Sequence, residues 1–264
     1  MIPKTYNEDF YNYHMQMSIS SASEIIPLVL EIVKPISVID LGCGIGTWLS
    51  VWENFGITDV IGVDGEYVNK NKLLINEEKF ITVDLKNGYK SNKIFDLVTC
   101  LEVAEHIDAN SAEVLINSLC NLGKVILFSA AIPGQEGTQH INEQYPDYWV
   151  KIFKKNNFVP IDYLRDKIWS NVKVSSWYKQ NILFYVNETY LENNVNLRVE
   201  RSRTNLKFLN LVHPEYFDYK CKKVLRYEQI MDSPRLLFMK LIRSLKDKIW
   251  KKFLLFKNKI MHWL

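Results

Sequence analysis

Asp40, Gly42, Gly44 and Gly46 stand at two-residue steps in the stretch Val38-Ile-Asp-Leu-Gly-Cys-Gly-Ile-Gly-Thr-Trp48. An acid that ends an apolar run and leads into alternating glycines reads as a strand, a tight loop and a helix start. Glycine allows positive φ and a close backbone approach, and the helix behind the loop presents its free N–H groups to the same space. Such a unit holds a nucleotide-like ligand at the carboxyl edge of a sheet. Thr47 breaks the dinucleotide pattern G-x-G-x-x-G/A. An acid directly before the loop also repels a pyrophosphate and suits a ligand with a cationic end. Asp64 ends the next apolar run, 24 residues after Asp40. An acid there can accept bonds from both hydroxyls of a ribose.

Further candidates lie where later strands end. Asp84-Leu85 follows Phe80–Val83, and Leu101-Glu-Val-Ala-Glu-His-Ile107 follows Phe95–Cys100. A long polar loop, Ala131 to Trp149, follows Lys124–Ser129 and carries His140, Asn142, Glu143, Gln144, Tyr145, Tyr148 and Trp149. Amides and acids bond hydroxyls and aromatic faces pack on sugar C–H surfaces, so this mixture suits a polyhydroxylated ligand. Histidine titrates near working pH, which makes His140 the first candidate for a general base and His106 the second. Glu143 could orient a histidine or bind a hydroxyl. The plainer readings stay open: His140 as a loop-stabilising hydrogen bonder, His106 as a packing or capping residue.

The order acid-x-Gly-x-Gly-x-Gly, with the Glu-His segment after strand four, resembles the class I S-adenosylmethionine-dependent methyltransferases. The resemblance spans roughly residues 10–190. It implies that Asp40 serves the methionine end, that Gly42, Cys43, Gly44, Gly46 and Thr47 pass under the cofactor, and that Asp64 and Gly65 meet the ribose. It also implies that Asp84 bonds the adenine amino group with Leu85 against the ring, and that Glu102 lies near the methionine moiety. S-adenosyl-L-methionine is the implied cofactor. The His140 loop is similar to that of a subset found with bacterial surface-polysaccharide and natural-product pathways. The resemblance therefore implies methyl transfer to an oxygen of a sugar or glycan precursor. The alternatives are another small metabolite, such as a quinone precursor or secondary metabolite, and a non-catalytic cofactor-binding or membrane-scaffold protein. No Asn/Asp-Pro-Pro-Tyr/Phe run follows strand four, no Pro-Cys nucleophile is present, and no cluster of acids and amides suggests a magnesium site. No metal is expected.

These residues need a sheet to hold them. Apolar runs alternating with helical patterns predict an α/β fold: a Rossmann-like, doubly wound, mostly parallel sheet with an antiparallel last strand and a C-terminal helical extension. The last strand, near Asn181–Val186, is expected to insert antiparallel beside strand five. Helices are expected from Ser23-Glu24 to before Pro35, from Thr47, from Val114 to Leu122 and from Tyr148 to Asn156, with Glu105 and His106 starting another. The domain reading is 1–190 for the methyltransferase domain, 191–232 for a linker and docking segment, and 233–264 for a basic amphipathic helical tail.

Nine of the 33 Lys and Arg residues but only one of the 30 Asp and Glu fall within 233–264, so the tail carries +8 and the rest −5. An acidic body argues against a large nucleic-acid partner. The tail, with Phe and Trp at helical steps, reads either as a membrane-surface element or as a helix packed on the body or on a second copy. Four scattered cysteines without a Cys-x-x-Cys pair, and no apolar run of membrane length, point to a cytoplasmic protein, peripheral at the inner face of the membrane if the tail is a membrane-surface element. A small-molecule or glycan acceptor is the expected partner, and a homo-oligomer is compatible.

Overall fold

The computed structural model describes residues 8–235 together with 237–239, 241, 242 and 244, and side chains from Met15 onward. One sheet contains β1 (Ser37–Leu41), β2 (Asp59–Asp64), β3 (Phe80–Thr82), β4 (Leu97–Leu101), β5 (Val125–Ser129), β6 (Phe158–Ile161) and β7 (Leu183–Asn187). Its order is β3-β2-β1-β4-β5-β7-β6. The first five strands pair in parallel, and β7 runs antiparallel to both β5 and β6. The expected doubly wound sheet and its inserted antiparallel strand are both present.

Successive residues of each strand feed opposite faces. Val38, Val60, Leu97, Leu127 and Phe184 join one apolar layer with α1 (Glu8–Ile32) and α2 (Thr47–Asn54). Ile39, Val63, Val98, Ile126, Phe128 and Tyr185 join the other layer with α3 (Ala109–Leu122) and α4 (Pro146–Lys155). Both faces are covered, which is why the strands read as unbroken apolar runs rather than alternating ones. The chain leaves β1 toward β2 on one side while β4 pairs with its other side. That boundary is the switch point of the sheet, and the loops beyond it form the crevice where ligands bind in such folds.

Several helix starts differ from the sequence reading. Among the described residues α1 begins at Glu8, well before Ser23; the Ser23 hydroxyl bonds the Ile19 carbonyl within the helix instead of capping an end. Helix α3 begins at Ala109 rather than Val114 because the Asp108 carboxylate accepts from the N–H groups of Asn110 and Ser111, each at 3.1 Å. Helix α4 begins at Pro146, a residue that fits the first turn because no donor is lost there. Glu105 and His106 close a 3-10 turn, Ala104–His106, and do not start a helix.

After β6 come α5 (Leu164–Ile168) and α6 (Ser176–Asn181), and after β7 come α7 (Glu188–Glu192) and α8 (Val195–Arg203). The stretch from Asn193 that reads as linker thus carries a helix, with Leu197 buried in the first apolar layer. Arg165 is buried. It pairs with Asp162 and donates to the carbonyls of Gln180, Phe208 and Leu209. The chain divides into compact units between His213 and Pro214. The second unit opens with α9 (Pro214–Asp232), which has no buried residue. The described residues from 234 to 244 are helical, and the rest of the expected tail helix lies outside the described residues, as do residues 1–7. No described helix is long and apolar enough to cross a membrane.

Candidate active site

The glycine loop is built on left-handed backbone. Gly42, Gly44 and Gly46 have φ of 84°, 57° and 81°, a region costly for other residues. Their surroundings differ. A Cβ on Gly42 would lie 2.3 Å from Val103, and one on Gly46 2.9 Å from Ile75, whereas one on Gly44 would meet nothing within 4 Å. Two glycines therefore pack the loop against its neighbours, and the third leaves open space above the backbone. Thr47 is the first residue of α2.

Asp40 is buried in β1 and accepts from the Thr99 hydroxyl of β4 at 2.6 Å. Burial, with a further push from the Asp64 charge and against the Thr99 bond, raises its carboxyl to about 7. Asp64 ends β2. Its Oδ2 accepts from the Gly44 N–H at 2.6 Å, and its Oδ1 accepts from the Gly65 N–H at 2.7 Å and from the Tyr67 hydroxyl. Tyr67 is 83% exposed, so its phenol covers the carboxylate while its ring stays in solvent. Cys43 contributes backbone to the loop, because its buried sulfur faces Gly62, where a Cβ would lie 2.7 Å away. Burial pushes its thiol up, which keeps it inert. Asp84 is exposed and caps its own turn by accepting from the Lys86 N–H, and Leu85 is buried in the second apolar layer.

A second group of side chains gathers after β4 and β5. Glu102 has φ of 57°, a strained value for a non-glycine residue. Its backbone N–H donates to Ser129, and its carboxylate accepts from Gln135 at 2.7 Å and Asn181 at 3.1 Å. The Ile141 and Asn142 N–H groups both donate to the Glu105 carbonyl, at 2.9 and 3.0 Å. Those two bonds bring His140 to His106, 34 residues earlier in the chain. The imidazoles meet edge to face with centroids 4.7 Å apart. His140 Nδ1 lies 2.9 Å from Glu143 Oε1. Glu143 is itself fixed by the N–H groups of Gly134 and Glu136 at 2.6 and 2.8 Å. Desolvation, and then the neighbouring His140, lower the His106 imidazole below its ordinary value. Burial raises the carboxyls of Glu102 and Glu105, the latter also through the Glu102 charge.

The sequence-predicted residues thus form two adjoining groups: Asp40, the glycines and Asp64 at β1 and β2, and Glu102, His106, His140 and Glu143 after β4 and β5. Trp149 is a correction. It is buried against Phe128 in the second apolar layer and presents no face to a ligand, because it falls in the first turn of α4 on the core side. Asn142 is buried as well. Sequence reasoning passed over Glu105, Thr99, Tyr67, Gln135 and Asn181 as site residues. Only the density of polar residues after β5 hinted at Gln135, and nothing marked Asn181. A depression of 540 Å³ between α3 and α4, lined by Ala109, Asn110, Tyr148 and Lys151 among others, includes none of the residues of either group.

Comparison with known proteins places these residues in a wider setting. A family model described as a methyltransferase domain matches residues 11–166. No curated protein matches the chain. The fold is similar to that of magnesium protoporphyrin IX methyltransferase from Synechocystis PCC 6803 with bound SAH, at 18% identity over 69% of this chain and 90% of that one, with a TM-score of 0.50. It is similar to Streptomyces venezuelae DesVI at 13% identity, covering 68% and 96% of the two chains, with a TM-score of 0.52. A SAM-bound amino pentose methyltransferase from Micromonospora echinaspora, involved in calicheamicin biosynthesis, is similar at 10% identity, covering 71% of this chain and 100% of that one, with a TM-score of 0.51.

Proposed function

This chain belongs to the methyltransferase-domain family, whose model its residues 11–166 match, and we propose that it transfers a methyl group from S-adenosyl-L-methionine to an oxygen of a sugar or glycan precursor. The residues present fit the donor. Gly44 offers a backbone cradle that a side chain would fill, Asp64 offers a carboxylate at the ribose position, and Asp40 offers an acid that a cationic end would ionise. The observation that carries the oxygen acceptor is the His140–Glu143 pair, aimed beside His106 at the same sheet edge. An alcohol must lose a proton as it attacks, whereas an amine can attack as it stands, so an oriented imidazole is of most use to a hydroxyl.

When bound, the donor supplies a methyl carbon made electrophilic by its sulfonium. The remaining work falls to this chain. Asp40 and Glu102 supply negative charge for the cationic donor. Asp64 accepts from the sugar hydroxyls once Tyr67 yields its place. Glu143 holds the His140 ring so that its other nitrogen can take the acceptor proton. The loop after β5 covers the reacting atoms and excludes water, which aligned displacement requires. A sugar acceptor draws support from the amides and acids of that loop, and an amino pentose methyltransferase among the neighbours keeps sugars within the reach of the fold. The same reading sets the +8 stretch 233–264 on an anionic membrane surface.

The test is methyl transfer with nucleotide sugars and lipid-linked saccharides as acceptors, read by S-adenosylhomocysteine formation and by locating the new methyl group with NMR. A methyl ether on a saccharide is expected, and His140→Ala should lower kcat about 100-fold while leaving S-adenosylhomocysteine affinity intact. Methylation only at nitrogen, or only of non-saccharide acceptors, overturns the proposal.

A further inference from the structure

We propose that Glu105, His106 and His140 form a binding site for a divalent transition-metal ion at the acceptor side of the crevice. One donor atom from each of the three lies within 4.8 Å of those of the other two. An ion about 2.1 Å from each donor needs them about 3.4 Å apart in a tetrahedral arrangement, so small side-chain rotations close the site.

The independent observation is the state of Glu105. Its side chain is fully buried, and neither carboxylate oxygen makes a well-formed hydrogen bond; only its own N–H and that of Ala131 approach it. A buried acid without well-formed bonds is costly and uncommon, and a cation beside it removes that cost. The neighbouring acid, Glu102, is already engaged by Gln135 and Asn181, so its donors are not available to Glu105. Both imidazoles also have the rear support that ligating histidines require. Glu143 holds His140 through Nδ1, and the Gln139 backbone holds His106.

The backbone is shaped to the same end. The left-handed turn at Glu102 and the 3-10 turn after it set Glu105 and His106 side by side. The two N–H bonds from Ile141 and Asn142 to the Glu105 carbonyl pin the third donor onto them. Left-handed φ at Glu136 and Gln139, 63° and 62°, bends the intervening loop into place. Spacing along the chain conceals this arrangement, because two donors are adjacent and the third is 34 residues away. The proposal departs here from the sequence expectation of no metal.

Two nitrogens and one carboxylate oxygen favour a zinc, cobalt, manganese or iron(II) ion over magnesium or calcium, which prefer oxygen throughout. Three protein ligands leave positions open, as in catalytic rather than structural sites, and His106 is exposed. Resting on the methyltransferase reading, the open position takes the acceptor hydroxyl. The ion lowers the pKa of that hydroxyl, and its proton passes to a water held at another open position of the same ion. The oxygen then forms its bond to the methyl carbon as the carbon–sulfur bond breaks and sulfur keeps the electron pair. His140 is then a ligand, and the ion takes over the activation that an ion-free site leaves to the imidazole.

The test is calorimetric titration of the chelator-stripped full chain with Mn2+ and Zn2+, with Co2+ absorption as a probe of the ligand set. Uptake of a single ion per chain is expected, weakened at least about tenfold by His106→Ala and His140→Ala and by a similar factor in Glu143→Gln. S-adenosylhomocysteine titration of the same variants confirms that they fold. Because Glu105 is buried, Glu105→Gln is read only if it passes that control. Asp64→Ala should lose S-adenosylhomocysteine but keep the ion, which separates failure of the metal site from failure of the methyltransferase reading. No saturable uptake below about 1 mM, or equal uptake by wild type and both histidine variants, overturns the site.

Discussion

Asp40 carries a proton in the folded chain at a pH where an ordinary aspartate has long lost it. Burial is the main cause, and its carboxyl stands at about 7 against the usual 3.8. Since the folded value is the higher one, the folded state binds this proton more tightly than the unfolded state. Ionisation of Asp40 therefore erodes stability as pH rises from about 4 through about 7. Asp40→Asn is expected to raise the urea midpoint at about pH 8 and to raise it by less than half as much at about pH 5. The gain has an upper limit of about 4 kcal/mol. A midpoint lowered equally at both pH values would mean that the fold needs the carboxylate. The same variant should bind S-adenosylhomocysteine more weakly, because an ammonium group favours the ionised acid. Tyr67 makes the complementary case. Its hydroxyl occupies an acceptor that a ribose would use, so Tyr67→Phe is expected to tighten S-adenosylhomocysteine binding by about 1 kcal/mol. Calorimetry that finds weaker binding would turn Tyr67 from a competitor into a contact. Asp40 and Asp64 were legible because an acid at the end of an apolar run is a local signal. Asn181 and Gln135 were not, because their partner Glu102 lies 79 and 33 residues away.

The three glycines of the loop after β1 make different demands on the elements around them. Gly44→Ala meets no atom within 4 Å, so only its left-handed φ opposes it, at about 1–2 kcal/mol. The chain should fold and lose S-adenosylhomocysteine, since the added methyl stands where the ligand passes. Gly42→Ala adds a collision with Val103 at 2.3 Å, and its thermal midpoint should fall further, with partial recovery in the Gly42→Ala, Val103→Ala pair. Equal midpoints for the two single variants would dismiss the packing role of Gly42. Strands were the legible elements, since a sheet covered on both faces needs apolar runs and leaves them plain in the sequence. Helix starts were less so. The Asp108 cap lies six residues before Val114, where the apolar periodicity becomes visible, and a loop aromatic such as Trp149 takes its orientation from a helix phase that Pro146 sets.

At the scale of the whole chain, charge and topology make separate demands. If the +8 stretch 233–264 rests on an anionic surface, the full chain should pellet with vesicles rich in acidic lipid, less so at high salt, and a chain ending at Asp232 should stay in the supernatant. Equal pelleting of the two rules out that role. Topology bears on how the protein is made. β7 lies between β5 and β6 although it is the last of the three along the chain. A ribosome must therefore release the chain through Asn187 before the gap in the sheet can be filled. Until then β5 and β6 each keep an unpaired edge, the kind of surface that attracts other nascent chains. The same late segment delivers Asn181 to Glu102. That edge of the sheet is thus among the last parts to be completed, and a translation product that stops short of α6 and β7 has the glycine loop but not the amide that holds Glu102.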